Sequence, residues 1–157
     1  MEIIEYDDKY KNEIIDLILT IQNKEAKISL SIEEQPDLLD IYSAYEQNGG
    51  KFWTAIENKQ IIGTIALMLS KNNCGILKKF FVKRNYRGKK VGLTLYQTLL
   101  EYAYSISLNY IVLDTPSVAT VSHKFYEKSG FKRVKYDELP IAYKYPDRDS
   151  YLYLLAL

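Results

Sequence analysis

The chain has 157 residues, 21 Lys and Arg against 20 Asp and Glu, a hydrophobic fraction of 47% and one cysteine. Balanced charge argues against a nucleic-acid surface, which needs a broad basic footprint. One thiol excludes an internal disulfide framework and suits a reducing compartment. The longest apolar stretch, 61–69, is broken by Gly63 and Thr64 and is far too short to cross a bilayer. The acidic start, residues 1–8, lacks the basic region and apolar core of a secretory signal, so a cytoplasmic protein is expected. The size prior points to one domain over 1–157.

In chain order, 2–6 reads as a strand, and 10–22 as a helix with Ile14, Leu17, Ile18 and Ile21 on one face. A polar stretch comes next, and Pro36 opens a second predicted helix carrying Leu38, Leu39, Ile41, Tyr42 and Tyr45. Asn48-Gly49-Gly50 ends it. Strands are predicted at 51–57 and 60–70 around a hairpin turn at Asn58-Lys59, and a third at 75–82 after a turn at 72–75 that includes Cys74. A long helix is predicted from 89 to 107 and a short buried strand at 110–113. Thr115 and Pro116 suit the cap and first position of a helix that stops at Gly130, and 131–136 and 151–157 read as the last strands. Residues 137–150 are a polar loop.

The junction at 84–92, Arg-Asn-Tyr-Arg-Gly-Lys-Lys-Val-Gly, carries the most chemistry. A helix start offers unpaired N–H groups and a positive dipole end, and Gly88 and Gly92 let an anion approach them. Between 75 and 100 there is no Asp or Glu, while Lys78, Lys79, Lys83, Arg84, Arg87, Lys89 and Lys90 are basic. Positive charge this local implies a bound anion.

One helix and one strand after this turn comes Phe125-Tyr126-Glu127-Lys128-Ser129-Gly130-Phe131. Together the two motifs closely resemble the GCN5-related N-acetyltransferases, with Lys90 where a middle glycine is usual. The resemblance implies an α/β fold: a layered, mixed but largely antiparallel sheet of about seven strands, flanked by about four helices and splayed at the central parallel strands. It implies acetyl-CoA as co-substrate, with Phe81, Val82, Arg87, Gly88, Lys89, Lys90, Val91, Gly92, Phe125, Tyr126 and Lys128 binding it. No metal is expected, with one His and one Cys too few for common ligand sets. The chain is expected to act as a monomer or homodimer on an unidentified amine, with no nucleic-acid or membrane partner. A non-catalytic CoA-binding module is the alternative.

Acetyl transfer needs an amine that has lost a proton, a donor to the oxyanion and a proton for the departing thiolate. By resemblance, Tyr126 supplies that last proton. Phe125 follows Val118 and Val121 on the expected apolar face of its helix, which turns Tyr126 toward a cleft. A backbone N–H near Val82 serves the oxyanion. Ile76 stands where related enzymes often place a basic Glu, so Asp114, Glu57, His123 or a water chain remain as bases. A lone His such as His123 is more often a satisfied structural residue. Cys74 has no activating partner, so direct transfer is expected. Tyr42, Tyr45, Trp53, Tyr143, Tyr145 and Arg148 are the expected acceptor pocket.

Overall fold

The computed structural model describes residues 1–143 and 149–157. The elements run β1 (Glu2–Glu5), α1 (Lys11–Thr20), β2 (Lys51–Glu57), β3 (Gln60–Leu69), β4 (Cys74–Val82), α2 (Val91–Ser105), β5 (Tyr110–Pro116), α3 (Thr120–Lys128), β6 (Lys132–Val134) and β7 (Ser150–Ala156). The strands form one sheet in the order β1-β2-β3-β4-β5-β7-β6. Among the described residues only β4 and β5 pair in parallel. A parallel pair needs a crossover, and α2 supplies it. Asn58 and Lys59 both adopt positive φ, 52° and 62°, the twist a two-residue hairpin loop requires.

Strand alternation divides the core into two layers. On one face Leu67, Leu77, Leu113 and Tyr153 pack under Leu95 and Leu99 of α2 and under α3. On the other, Phe52, Ile61 and Ala66 meet Ile14 and Ile18 of α1, four residues apart, with Leu38, Ile41 and Tyr45. Burying each such side chain contributes about 1.5–3 kcal/mol. Gly63 brings α2 down onto β3: a Cβ there would lie 2.9 Å from Leu95 Cδ1 and 3.1 Å from the Phe81 carbonyl.

Three expectations are corrected. The second helix is broken into a 3-10 turn, Pro36–Leu39, and a π turn, Tyr42–Glu46. Asp40 between them is extended (φ −146°) and accepts from the Ser43 N–H at 3.1 Å and hydroxyl at 2.8 Å. That local side-chain bonding competes with helix continuation.

Thr115 and Pro116 do not cap a helix but end β5, because the ladder to β7 runs on through Thr115↔Tyr151 and Pro116↔Ser150. A proline is tolerated at a strand end. Helix α3 therefore starts only at Thr120, and its inward stripe is His123 and Tyr126; Val118 and Val121 are 74% and 82% exposed. Third, Cys74 lies not in the turn but at the start of β4, fully buried and paired with Tyr110.

Candidate functional site

The β4–β5 ladder has three rungs, Cys74↔Tyr110, Gly75↔Ile111 and Ile76↔Val112, and then stops. Beyond it β4 stays with β3 as far as Val82, while β5 follows β7 to Pro116, so the two strands part into a fork. A bulge in β4 lies just past the last rung. Thr64 pairs with Phe81 and Ala66 with Lys78, leaving Ile65 opposite both Lys79 and Phe80. Lys79 sits at φ +52°, and Thr64 donates to its carbonyl at 2.7 Å. A bulge bends and twists its strand, and a left-handed lysine costs about 1–2 kcal/mol.

The side chain of Lys79 is anchored against that cost. Its Nζ donates to Gln35 Oε1 at 2.6 Å and lies 3.5 Å from Asp37 Oδ2, which also accepts from the Tyr45 hydroxyl at 2.6 Å. Gln35 is held in turn by paired amide bonds with Gln22 at 2.7 and 2.9 Å. Burial pushes the Lys79 pKa below its ordinary value, outweighing the pull of Asp37. Asp37→Ala leaves this ammonium without its counter-ion, on Gln35 alone, and the Tyr45 hydroxyl without its acceptor. It is expected to destabilise the fold by about 2–3 kcal/mol, somewhat less than a fully buried pair because some water reaches the site. Urea titration checks this; a loss below about 0.5 kcal/mol would mean that the network holds nothing in place.

Past the bulge, the Lys83 N–H donates to the Ile62 carbonyl at 2.7 Å. By alternation, the Val82 N–H points the other way, into the fork. The Val82 carbonyl accepts from Arg87 Nε at 2.9 Å, and Arg87 Nη1 meets Glu25 at 2.7 Å. The Arg87 side chain thus braces the turn, leaving its backbone for a ligand. Gly88 (φ +77°) and Lys90 (φ +64°) make the left-handed steps that start α2, and Lys89 lies 5.7 Å over the Tyr86 ring.

No side chain caps α2. Thr94 donates to the Lys90 carbonyl at 3.0 Å, and the N–H groups of Val91, Gly92 and Leu93 ahead of it are unpaired among the described residues. Gly92 turns its bare Cα toward Phe80 and Val82, 3.6 Å from where a Cβ would stand. That is ordinary contact distance, so the packing of the helix on β4 does not itself require glycine here.

On the helical face of the fork, the Phe80 ring stacks edge-on with Phe125, centroids 5.5 Å apart, and lies 6.4 Å from Tyr126. Tyr126 does not open toward a broad cleft as the helix pattern suggests. It is 7% exposed, ringed by Phe125, Phe131 and Tyr153 at 5.6–5.9 Å. Burial first, then the charge of Asp114, then Tyr96 push its pKa well above the usual phenol range. The Tyr96 hydroxyl is itself buried with no hydrogen-bond partner among the described residues. Phe81 faces the α1 layer, and Lys128 is exposed in the last turn of α3, where its charge complements the helix dipole.

Among the expected bases, geometry singles out Asp114. Glu57 ends β2 beside the chain's N-terminal amine at 3.4 Å. His123 is buried, its Nε2 bonded to the Pro116 carbonyl at 2.8 Å and its ring against Tyr151. Asp114 lies two residues past the last rung, accepts from the Tyr143 hydroxyl at 3.4 Å, and has its pKa raised by burial, against the pull of Lys78 and Tyr143.

Of the expected acceptor pocket, Tyr143 joins Asp114, and Tyr42 is exposed. Tyr45 and Trp53 are core residues instead, because Tyr45 is held by Asp37 and Trp53 packs on Tyr102. Tyr145 and Arg148 lie outside the described residues. Sequence reasoning missed Gln22, Gln35, Asp37 and Tyr96, and counted Lys78 and Lys79 only as part of the basic segment, without the separate roles they take here. A visible signal existed only for the lysines, two adjacent charges inside a central apolar strand.

A sheet forked at its one parallel pair, with an uncapped helix start beside the opening, also describes known proteins. The acetyltransferase (GNAT) family model matches residues 15–131. The chain belongs to that family. As a GNAT protein it is an acyltransferase enzyme. It is 39% identical to an acetyltransferase from Streptococcus agalactiae, with 99% of this chain and 98% of that one covered and a TM-score of 0.96. A GNAT-family acetyltransferase from Staphylococcus aureus is 36% identical over 99% and 98%, TM-score 0.95. The PaiA N-acetyltransferase of Thermoplasma acidophilum, solved with coenzyme A, shares the fold at TM-score 0.74 and 19% identity, with 99% of this chain and 98% of that one covered.

Among curated relatives, the N-acetylaspartate synthetase of Xenopus tropicalis is 36% identical over 100 residues, 62% of this chain and 37% of that protein. The chain thus spans little more than a third of that relative's length. No helix among the described residues is long and apolar enough to cross a membrane.

Proposed function

We propose that the chain transfers an acetyl group from acetyl-CoA directly to a primary amine at the β4–β5 fork. The carrying observation is the opening of that fork beside the unpaired amides of Val91, Gly92 and Leu93. These amides, with Gly88 and the basic turn around them, suit a pyrophosphate. The parted edges of β4 and β5 suit the amide groups of a pantetheine arm, which pairs as an added strand does.

Substrate amine nitrogen attacks the thioester carbon, forming the N–C bond, while the Val82 N–H donates to the oxyanion. The proton released by nitrogen goes to Asp114. Collapse breaks the C–S bond, and Tyr126 protonates the departing thiolate, giving amide and free CoA. Cys74 takes no part: burial pushes its thiol up to about 11, and it is sealed in the first rung. A relative named N-acetylaspartate synthetase supports amine acetylation, and membership of an enzyme family disfavours the non-catalytic module.

Titrating isotope-labelled chain with CoA is expected to move the amide signals of residues 88–93. An amine screen with acetyl-CoA should then yield acetylated product with ternary-complex kinetics and no acetyl adduct on Cys74. Unmoved amides, or a kinetically competent acetyl-cysteine, would defeat the reading.

A further inference from the structure

The two lysines of β4 have different fates. Lys79 is closed off by Gln35 and Asp37. Lys78 is half-buried and makes no hydrogen bond or ion pair with the described residues. It lies two residues past Ile76, and Asp114 lies two past Val112, so the pair would form the next rung on the same face had the ladder continued. Because the fork opens there, the two charges face each other across it without closing an ion pair, though each is within electrostatic reach of the other. A half-buried ammonium without a counter-ion is uncommon, since desolvation is left uncompensated.

We propose that Lys78 and Asp114 form a zwitterion site, so that the acceptor is an amino acid or similar small amino-carboxylate, its carboxylate on Lys78 and its nitrogen on Asp114. This rests on the acetyl-transfer reading above, in which Asp114 already receives the amine. A simple amine adds a second cation beside Lys78 and leaves that ammonium unanswered. A zwitterion adds no net charge and supplies the partner that Lys78 lacks, while its nitrogen joins the Tyr143 hydroxyl on Asp114. Lys78 is then a specificity-determining residue, and discrimination against an acceptor without the carboxylate is expected at about 10- to 100-fold, the worth of one charge-assisted contact.

The test compares kcat/KM for matched pairs, an amino acid against its decarboxylated amine and against its carboxamide, in the intact chain with acetyl-CoA. The amino acid should exceed both by at least about tenfold. In Lys78→Met that ratio should fall to near one, Lys78→Arg should keep part of it, and Lys71→Met, on the exposed β3–β4 turn, should leave it unchanged. Equal turnover of amine and amino acid by the unmodified chain would overturn the proposal, as would a ratio untouched in Lys78→Met; preference for a peptide N-terminus would do so too. If no amine is acetylated at all, the acetyl-transfer reading fails separately. Calorimetry of the same amino acids with the CoA-saturated chain then decides the site by itself: binding lost in Lys78→Met sustains it, and absence of binding in the unmodified chain ends it.

Discussion

Tyr126→Phe is expected to lower kcat by roughly 10²–10⁴, the range of general acid catalysis, with acetyl-CoA affinity nearly unchanged. The phenol stands in an apolar ring of Phe80, Phe125, Phe131 and Tyr153, which phenylalanine fills equally well. Folding should therefore survive, and the loss can be read as chemistry. Burial holds the proton on Tyr126 throughout the working pH range, so the acid is always loaded. Acceptors that are already good nucleophiles make the sharpest assay, because collapse to thiolate then limits the rate. A burst of amide product in Tyr126→Phe, or near-normal turnover, would assign the proton to water and leave Tyr126 a packing residue.

The turn that opens α2 was legible because its cues are local. Gly88 marks a positive φ, an acid-free run marks the charge, and the apolar period of α2 marks the helix that the turn opens. The Asn58-Lys59 and Asn72-Asn73 turns were legible for the same reason, each residue adopting the left-handed conformation. The fork was expected only through resemblance.

The features that escaped are long-range. Nothing near Lys79 announces that Asp37 and Gln35, more than forty residues earlier, will hold it. Nor does Thr115-Pro116 announce that β7 extends β5 by two rungs and delays α3. That delay turned the helix. With Val118 outside it and Val121 outward, the face expected to look onto a cleft became the buried one, and Tyr126 went in with it. Trp53 and Tyr45 were misplaced by composition: an aromatic-rich chain offers rings for a pocket and for a core alike, and only packing distinguishes them.

Asp114→Asn is expected to cost roughly 10²–10⁴ in kcat/KM while making the protein harder to unfold. Burial raises the carboxyl pKa above its ordinary 3.8, so the folded chain binds this proton more tightly than the unfolded one. Stability from this group is therefore greatest in acid and falls as pH climbs from about 3.8 through the raised folded value. The neutral amide removes that penalty, so the melting temperature should rise at pH 7, with the gain vanishing below that window. In activity, the unmodified enzyme should show an acidic limb lying above the ordinary carboxylate range, and Asp114→Asn should abolish it. In the proposed mechanism the two proton transfers are also coupled. Charged Asp114 helps hold the proton on Tyr126; once Asp114 accepts the proton from nitrogen, that hold weakens just as the thiolate departs. A variant with full activity, an unchanged acidic limb and no gain in melting temperature would remove Asp114 from the mechanism and leave water as the base.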